Sequence, residues 1–275
     1  MHHVSFSRLA RRVAAGGLGV ALALALLLPG ATPTFAAPTD SPCPQPVTLQ
    51  CVITFGNARI DQRTTALNTL NSKIQNQLNA GHLTSAQAAA LSSDVATNQS
   101  GLSQLKAKLD ADTELATARA DVKSIYTTFR IYLVVLPRDY NEAWLDILTN
   151  VQAKMVAAEP KIQSAINAVS NLPDKDNDND LATINAAYSD YQAQLNAAQG
   201  QINTANGLLP QFTPRNLNAD PSGYKANWDA FRAAIRAAHG DILAAAADLH
   251  KLARVAKDLQ GDQTLAPNAS DTDEP

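Results

Sequence analysis

Four aspartates alternate with lysine and asparagine in one short run, which has the residue types and spacing of a cation site: Asp174, Asp176, Asp178 and Asp180. An EF-hand loop wraps Ca²⁺ with oxygen ligands at alternate positions in the same way. The run departs from that loop at its sixth position, where Asn179 replaces glycine, and at its twelfth, where Asn185 replaces the bidentate glutamate. The pattern therefore predicts weak Ca²⁺ binding. The alternative is a solvated connector whose last aspartates cap a helix.

Aromatic and arginine side chains are concentrated in a second region, in a chain with only 5% aromatic residues. Tyrosine, tryptophan and arginine are the side chains that most often anchor interfaces or line ligand pockets. The region predicts a binding patch of seven residues: Tyr126, Phe129, Arg130, Tyr132, Arg138, Tyr140 and Trp144. The alternative is that the larger rings fill the space where helices splay at one end of a bundle.

Cys43 and Cys51 are the only cysteines, and in an exported chain we expect them to form a structural disulfide. A metal site needs further ligands, and none is close in sequence. A thioredoxin-type redox pair needs a two-residue spacing. The histidines form no motif with a cysteine or serine, and there is no glycine-rich phosphate loop. We therefore expect no catalytic residues and no cofactor, although a triad assembled from distant positions would leave no local motif.

The first 36 residues have the three parts of a secretory signal peptide. Arg8, Arg11 and Arg12 precede an apolar run from Val20 to Leu28, which is shorter than the about 20 residues that a spanning helix needs. We predict cleavage after Ala36. The mature protein is then expected to be secreted or associated with the cell envelope, with no stable membrane insertion.

Removal of residues 1–36 takes away three arginines and no acidic residue, so the formal net charge changes from −3 to −6. A mildly acidic chain lacks the basic stripe that nucleic-acid binding needs, and it is also unsuited to docking on anionic lipid. We therefore expect no nucleic-acid partner. Residues 261–275 carry acidic and no basic side chains, which predicts a disordered acidic tail.

Apolar residues recur every three or four positions through most of the mature chain, which is the pattern of helices. The clearest case is a heptad stripe from Trp228 to Leu259. Helices are predicted at about 57–80, 84–110, 112–136, 140–169, 181–202 and 223–259, with a proline-containing loop at 210–222, and the second and third could be one rod.

Gly81 is expected to end the first helix, and Thr84 with Gln87 to form a capping box for the second. The short connection between these two helices predicts an antiparallel hairpin. Pro137 is expected to end a helix and Pro160 to kink one. The only strand candidate is Val47 to Phe55.

The fold predicted from these patterns is all-α, an elongated up-and-down bundle of five or six long helices with heptad-like stripes. The domain plan has four parts: a signal peptide at 1–36, an N-terminal arm with the disulfide at 37–55, the helical bundle at 56–260 and the acidic tail at 261–275.

Two segments resemble a group of alanine-rich, exported helical proteins of high-GC bacteria. These segments are LKAKLDADTELATARADVKSIYTTFRIYLVVLP at residues 105–137 and YKANWDAFRAAIRAAHGDILAAAADLHKL at residues 224–252. The group has no assigned activity, so the resemblance implies export and helical structure and carries over no site residue.

The function predicted from the sequence is an exported, non-enzymatic module that acts as a spacer or as a binding surface for a macromolecule, either a protein or the cell envelope. The alternative is a carrier of a small apolar ligand or of Ca²⁺. Heptad stripes also permit self-association, so a homodimer remains open.

Overall fold

The computed structural model describes residues 43–170 and 178–263, with side chains at 43–170 and 181–255. Every regular element in these ranges is helical, which confirms the all-α prediction. Within them, no helix has both the length and the apolar character needed to cross a membrane. The predicted signal peptide, the start of the N-terminal arm and residues 264–275 of the predicted tail lie outside the described residues.

The chain divides into two compact units. Among the described residues, the larger unit contains 43–150 and 202–236, and the smaller unit contains 151–170, 178–201 and 237–263. The elongated, up-and-down arrangement of the helices stays a prediction.

Helix α1 (Leu49–Asn79) begins inside the predicted N-terminal arm. The Thr48 hydroxyl caps it by accepting a hydrogen bond from the Cys51 amide at 3.3 Å. The predicted Cys43–Cys51 disulfide is confirmed, with the two Cα atoms 5.8 Å apart, and it joins the preceding loop to the first turn of the helix. The strand candidate at Val47 to Phe55 is therefore wrong, because the helix that Thr48 caps begins at Leu49.

Helices α1 and α2 (Ser85–Asp110) form the predicted antiparallel hairpin. Gly81 ends the first helix with a φ of 71°, a conformation that glycine adopts without strain. Thr84 and Gln87 form the predicted capping box at the start of the second helix. Side-chain hydrogen bonds join Asn57 to Asp110 and Gln99 to Asn68, so the partner numbers fall as α1 rises, as antiparallel packing requires.

The third predicted helix is separate from α2, but its α-helical part, α3, covers only Leu115–Ser124. Two π-helical segments follow, Ile125–Phe129 and Ile131–Val135, on either side of Arg130, whose φ is +42°. The prediction of one regular helix to residue 136 is wrong, because the turns after Ser124 are π-helical and are interrupted at Arg130. The segment is rich in β-branched residues, which favour the α-helix less than straight-chain residues do. Wider turns also change which side chains face the core, and Ile131 and Val134 are buried.

Two prolines lie at helix starts. Helix α4 (Leu136–Val156) contains Pro137 in its first turn, where the missing amide hydrogen has no partner to lose. The π-helical segment ends at Val135, just before Pro137 as expected, but helix α4 follows directly and includes the proline. Helix α5 (Glu159–Ser170) contains Pro160 at its second position. A proline ring clashes with the carbonyl four residues earlier, and α4 stops at that residue, so the chain breaks where a kink was predicted.

The last helices are α6 (Asp178–Leu208), the short α7 (Pro214–Ala219) and α8 (Pro221–Gln263). The final helix therefore continues to Gln263, past residue 260 where the bundle was predicted to end and into the predicted tail. The Asp220 carboxylate caps it by accepting a hydrogen bond from the Gly223 amide at 2.9 Å.

The core of the smaller unit comes from the predicted stripes of α5, α6 and α8. Apolar side chains at helical spacing are buried there, including Ile162, Ile184, Leu195 and Ile242. The fully buried Tyr191 donates a hydrogen bond from its hydroxyl to the Met155 carbonyl at 2.8 Å. A buried hydroxyl without such a partner would be costly, so this contact lets a large ring fill the core.

Candidate functional site

The π-helical segments bring two tyrosines of the predicted patch onto an arginine that the sequence analysis did not single out. The ring centroids of Tyr126 and Tyr132 lie 4.7 and 5.1 Å from the Cζ atom of Arg63 on α1. Both distances are within the range of cation–π attraction. The two tyrosines are therefore not isolated surface rings, because both make cation–π contacts with the Arg63 guanidinium.

Arg63 is unusual because it is buried, with 6% of its surface exposed. One Nη atom donates a hydrogen bond to the Arg59 carbonyl at 2.9 Å, and Nε is buried without a hydrogen-bond partner. Burial is the main reason that the pKa of Arg63 is lowered, and the nearby Arg59 lowers it further. None of the ion pairs among the described residues includes Arg59 or Arg63.

Arg59 repeats this arrangement one turn earlier on α1. Its Cζ atom lies 4.8 Å from the centroid of the Phe55 ring, and Nη1 donates to the Gln62 side chain at 2.9 Å. The Tyr132 hydroxyl donates to the Gln62 carbonyl at 3.1 Å. Gln62 therefore contacts both Arg59 and the tyrosine that lies over Arg63. We call the six residues involved the arginine–tyrosine cluster: Phe55, Arg59, Gln62, Arg63, Tyr126 and Tyr132.

Exposed apolar side chains occur in the same part of the chain as the tyrosines of this cluster. Leu133, which follows Tyr132 in the second π-helical segment, is 63% exposed, the largest value for a big apolar side chain among the described residues. Tyr126 and Tyr140 are 39% and 37% exposed. Lys73 lies over the Tyr140 ring, with its Nζ atom 5.0 Å from the centroid. Three of the five large apolar side chains that are exposed in the described residues therefore fall within 126–140.

Two rings of the predicted patch lie elsewhere. Trp144 is buried, so it belongs to the core and not to an exposed patch. The Phe129 ring packs on Gly101 of α2, with its edge 2.6 Å from the position that a Cβ atom would take at that glycine. This contact explains the glycine, because any larger residue would displace the ring. Both rings fill space, as the alternative interpretation of the patch predicted.

Arg130 is held in its left-handed conformation by a short helix that the sequence analysis treated as a loop. Its Nε donates to the Asn218 side chain at 2.7 Å, and the amide of Asn218 donates to the Thr127 carbonyl at 2.7 Å. A left-handed φ costs a residue with a Cβ atom about 1–2 kcal/mol. The two hydrogen bonds offset part of this cost, so Arg130 stabilises the π-helical segments and is not free to bind a ligand.

Arg138 forms ion pairs with two carboxylates, Asp94 on α2 and Asp139 beside it on α4. Asp139 is fully buried, and burial raises its pKa to about 6 although Arg138 opposes the shift. Burial likewise raises the pKa of Asp146 to about 6, and the neighbouring Glu142 adds to that shift. Burial raises the pKa of Glu142 as well, and Arg138 opposes that shift, so three carboxylates interact with this arginine. The group was not predicted, because Asp94 on α2 reaches Arg138 only through tertiary packing.

A cluster of four rings was also missed. The buried Phe212 ring contacts the rings of Tyr224, Trp228 and Phe231 with centroid distances of 5.6, 4.9 and 4.9 Å. Phe212 lies in the connection before α7, which the sequence analysis described as a proline-containing loop. The helical spacing of the α8 rings was the available signal, since it predicted a stripe in need of a partner.

The predicted Ca²⁺ run does not form an EF-hand loop in its described part. Asp174 and Asp176 lie outside the described residues, as do the side chains of Asp178 and Asp180. The backbone from Asp178 onward is helical, which covers the fifth to twelfth positions of the would-be loop. Alternate residues of a helix point about 200° apart and do not wrap one ion. Among the side chains described, at 43–170 and 181–255, no group of three histidine, cysteine or acidic residues could hold a metal.

Comparisons with family models, curated proteins and solved structures found no match for this chain. The resemblance to alanine-rich exported proteins therefore stays a prediction, and function has to be argued from the geometry above. That geometry offers two guanidiniums without a carboxylate and an exposed leucine beside them.

Proposed function

We propose that this protein is an exported, non-enzymatic interaction module of the extracellular space or the cell envelope. It binds another macromolecule through a docking face that consists of the arginine–tyrosine cluster and Leu133. The observation that carries the proposal is the exposure of Leu133, which directly follows Tyr132 of the cluster in the chain. Exposed apolar side chains beside tyrosine and arginine are typical of protein interfaces.

Export is supported by two independent features. Residues 1–36 have the composition of a signal peptide, and the Cys43–Cys51 disulfide is the kind of bond that persists in oxidising compartments. Helices with heptad-like stripes suit a stable extracellular support for the docking face.

Site-specific photo-crosslinking tests the docking face. A benzophenone side chain replaces Leu133 in one protein and Leu243 in another, and each is irradiated with the cell-envelope fraction and culture medium of the native host. Leu243 is a matched control because it is also an exposed leucine on a helix, at 43% exposure. We expect a discrete crosslinked species from position 133, and its yield should fall when excess unmodified protein competes.

Equal crosslinking from the two positions, or no competition by the unmodified protein, would contradict the docking face and leave only a spacer. Native mass spectrometry of the exported protein provides the second comparison. A stoichiometric bound organic molecule would instead support the carrier of a small apolar ligand.

A further inference from the structure

We infer that the partner presents an acidic protein segment, in which a carboxylate binds between Arg59 and Arg63 and an apolar side chain packs on Leu133. This inference rests on the proposed function and names the chemistry of the partner at the docking face. It follows from the charge of the cluster, from the geometry of the two guanidiniums and from the neighbouring apolar surface.

No carboxylate forms an ion pair with Arg59 or Arg63 within the described residues, where their partners are aromatic rings and neutral acceptors. Arg59 and Arg63 are four positions apart on α1, so they lie about 40° apart on one face of the helix. Asp61 lies between them in sequence but points about 160° from each, and it pairs with Lys106 at 2.6 Å. A buried charge without an opposite charge is strongly unfavourable. A carboxylate from a partner would pair with the buried guanidinium and remove this cost. Relief of the cost would then contribute to the free energy of binding.

The geometry leaves the donor edges of the guanidiniums for such a carboxylate. The Cζ atoms of Arg59 and Arg63 lie over aromatic rings, and one Nη atom of each arginine already donates within α1. The remaining N–H groups lie in the plane of each guanidinium. Nε of Arg63 is the buried donor without a partner. Carboxylates bind this edge with two parallel hydrogen bonds. The half-exposed Tyr126 ring lies over Arg63, and surface side chains change rotamer within nanoseconds, so the edge can open.

The apolar surface favours a protein segment over an anionic polysaccharide. Leu133 is an aliphatic side chain with most of its surface in water, and aliphatic side chains of a protein offer matching apolar contacts. Sugar rings stack mainly on aromatic faces, and the faces of Tyr126 and Tyr132 are turned to Arg63. An acidic protein segment with an apolar residue therefore satisfies both parts of the face.

Fluorescence anisotropy with defined peptides tests the inference on the purified exported protein. The probe is a labelled 12-residue peptide in which Glu-Leu-Glu-Ser is repeated three times. One comparison peptide has glutamine in place of glutamate, and the other has serine in place of leucine. We expect saturable binding of the probe, at least about tenfold weaker binding of the glutamine peptide, and weaker binding of the serine peptide.

Variants locate the site. Arg59→Gln and Arg63→Gln should each weaken binding of the probe by about fivefold to tenfold. Leu133→Ser should weaken binding of the leucine-containing probe and leave binding of the serine peptide unchanged. Arg254→Gln is the matched control, since it removes one exposed positive charge from α8, and it should change binding by less than about twofold. Far-UV circular dichroism confirms that each variant folds, and the partly exposed Arg59 gives an informative variant even if Arg63→Gln does not fold.

Three results would overturn the inference. They are no saturable binding at about 1 mM probe, equal weakening by Arg254→Gln, and tighter binding of polygalacturonate than of the probe. The last result would identify the partner as an anionic polysaccharide. If crosslinking from position 133 succeeds while the peptide fails, the docking face stands and only its acidic partner is refuted. If both fail, the proposed function falls as well.

Discussion

The burial of Asp139 predicts that acid stabilises the larger unit. Its folded-state pKa is raised to about 6 by burial, against an ordinary value of 3.8, and Arg138 compensates only in part. Because the folded-state pKa is the higher one, the stabilising contribution is complete below about pH 4 and is lost as the pH rises through 6. A shift of about two pKa units corresponds to about 3 kcal/mol. Most of that change falls between about pH 4.5 and 7.5, where we expect about 2 kcal/mol from this residue.

Urea unfolding at these two pH values measures the effect. Both tryptophans, Trp144 and Trp228, lie in the larger unit with Asp139, so their fluorescence reports the relevant transition. The wild-type protein should gain about 2 kcal/mol more in free energy of unfolding at the lower pH than the variant Asp139→Asn does, because asparagine cannot ionise. At the higher pH the variant should be the more stable protein, by up to about 3 kcal/mol.

The control is Asp229→Asn. The exposed Asp229 has its pKa lowered by a hydrogen bond from Lys225, so its stabilising effect is lost only as the pH falls below the usual aspartate range. This substitution should leave the difference between the two pH values unchanged. If Asp139→Asn shows the same pH dependence as the wild type, the carboxylate is hydrated in solution, and the argument from its burial is refuted.

Four further substitutions test the fold. Cys51→Ser should lower the free energy of unfolding by about 2 kcal/mol in urea titrations, because it opens a small loop; equal stability of oxidised wild type and variant would contradict this. Gly81→Ala should cost about 1–2 kcal/mol at a φ of 71°, whereas Gly200→Ala, inside α6 with open space around it, should stabilise by up to about 1 kcal/mol. Phe212→Ala should cost about 3–5 kcal/mol, and a loss below about 1 kcal/mol would show that the ring cluster is loosely packed.

Local signals were sufficient where one residue type decides the conformation. Gly81, the capping box of Thr84 and Gln87, and the cysteine pair each act within a few residues, so the sequence predicted all three features. The sequence correctly indicated that regular helix is interrupted near Pro137 and Pro160. A proline is compatible with the first turn of a helix and also with the position just after a helix ends. Local sequence alone could not choose between them.

The site was only half predictable for the same reason. The concentration of tyrosine and arginine between residues 126 and 144 was visible in the sequence, and it pointed to the right part of the chain. The partner arginine was not visible, because Arg63 is more than sixty positions away and meets Tyr126 only through tertiary packing. The π-helical segments also change the helical register, so a constant period could not tell which side chains of 125–135 are buried.

The bond between Cys43 and Cys51 has a mechanical consequence. A pulling force applied to the chain before Cys43 passes through the sulfur atoms into the first turn of α1, and residues 44–50 carry no load. Reduction would place these residues in the line of force. The stretched span from residue 43 to 51 would then grow from 5.8 Å between Cα atoms by roughly 20 Å, at about 3.5 Å per residue. The disulfide thus keeps the connection between residue 43 and α1 short and stiff in an oxidising medium. In a reducing medium the same connection would be longer and more compliant.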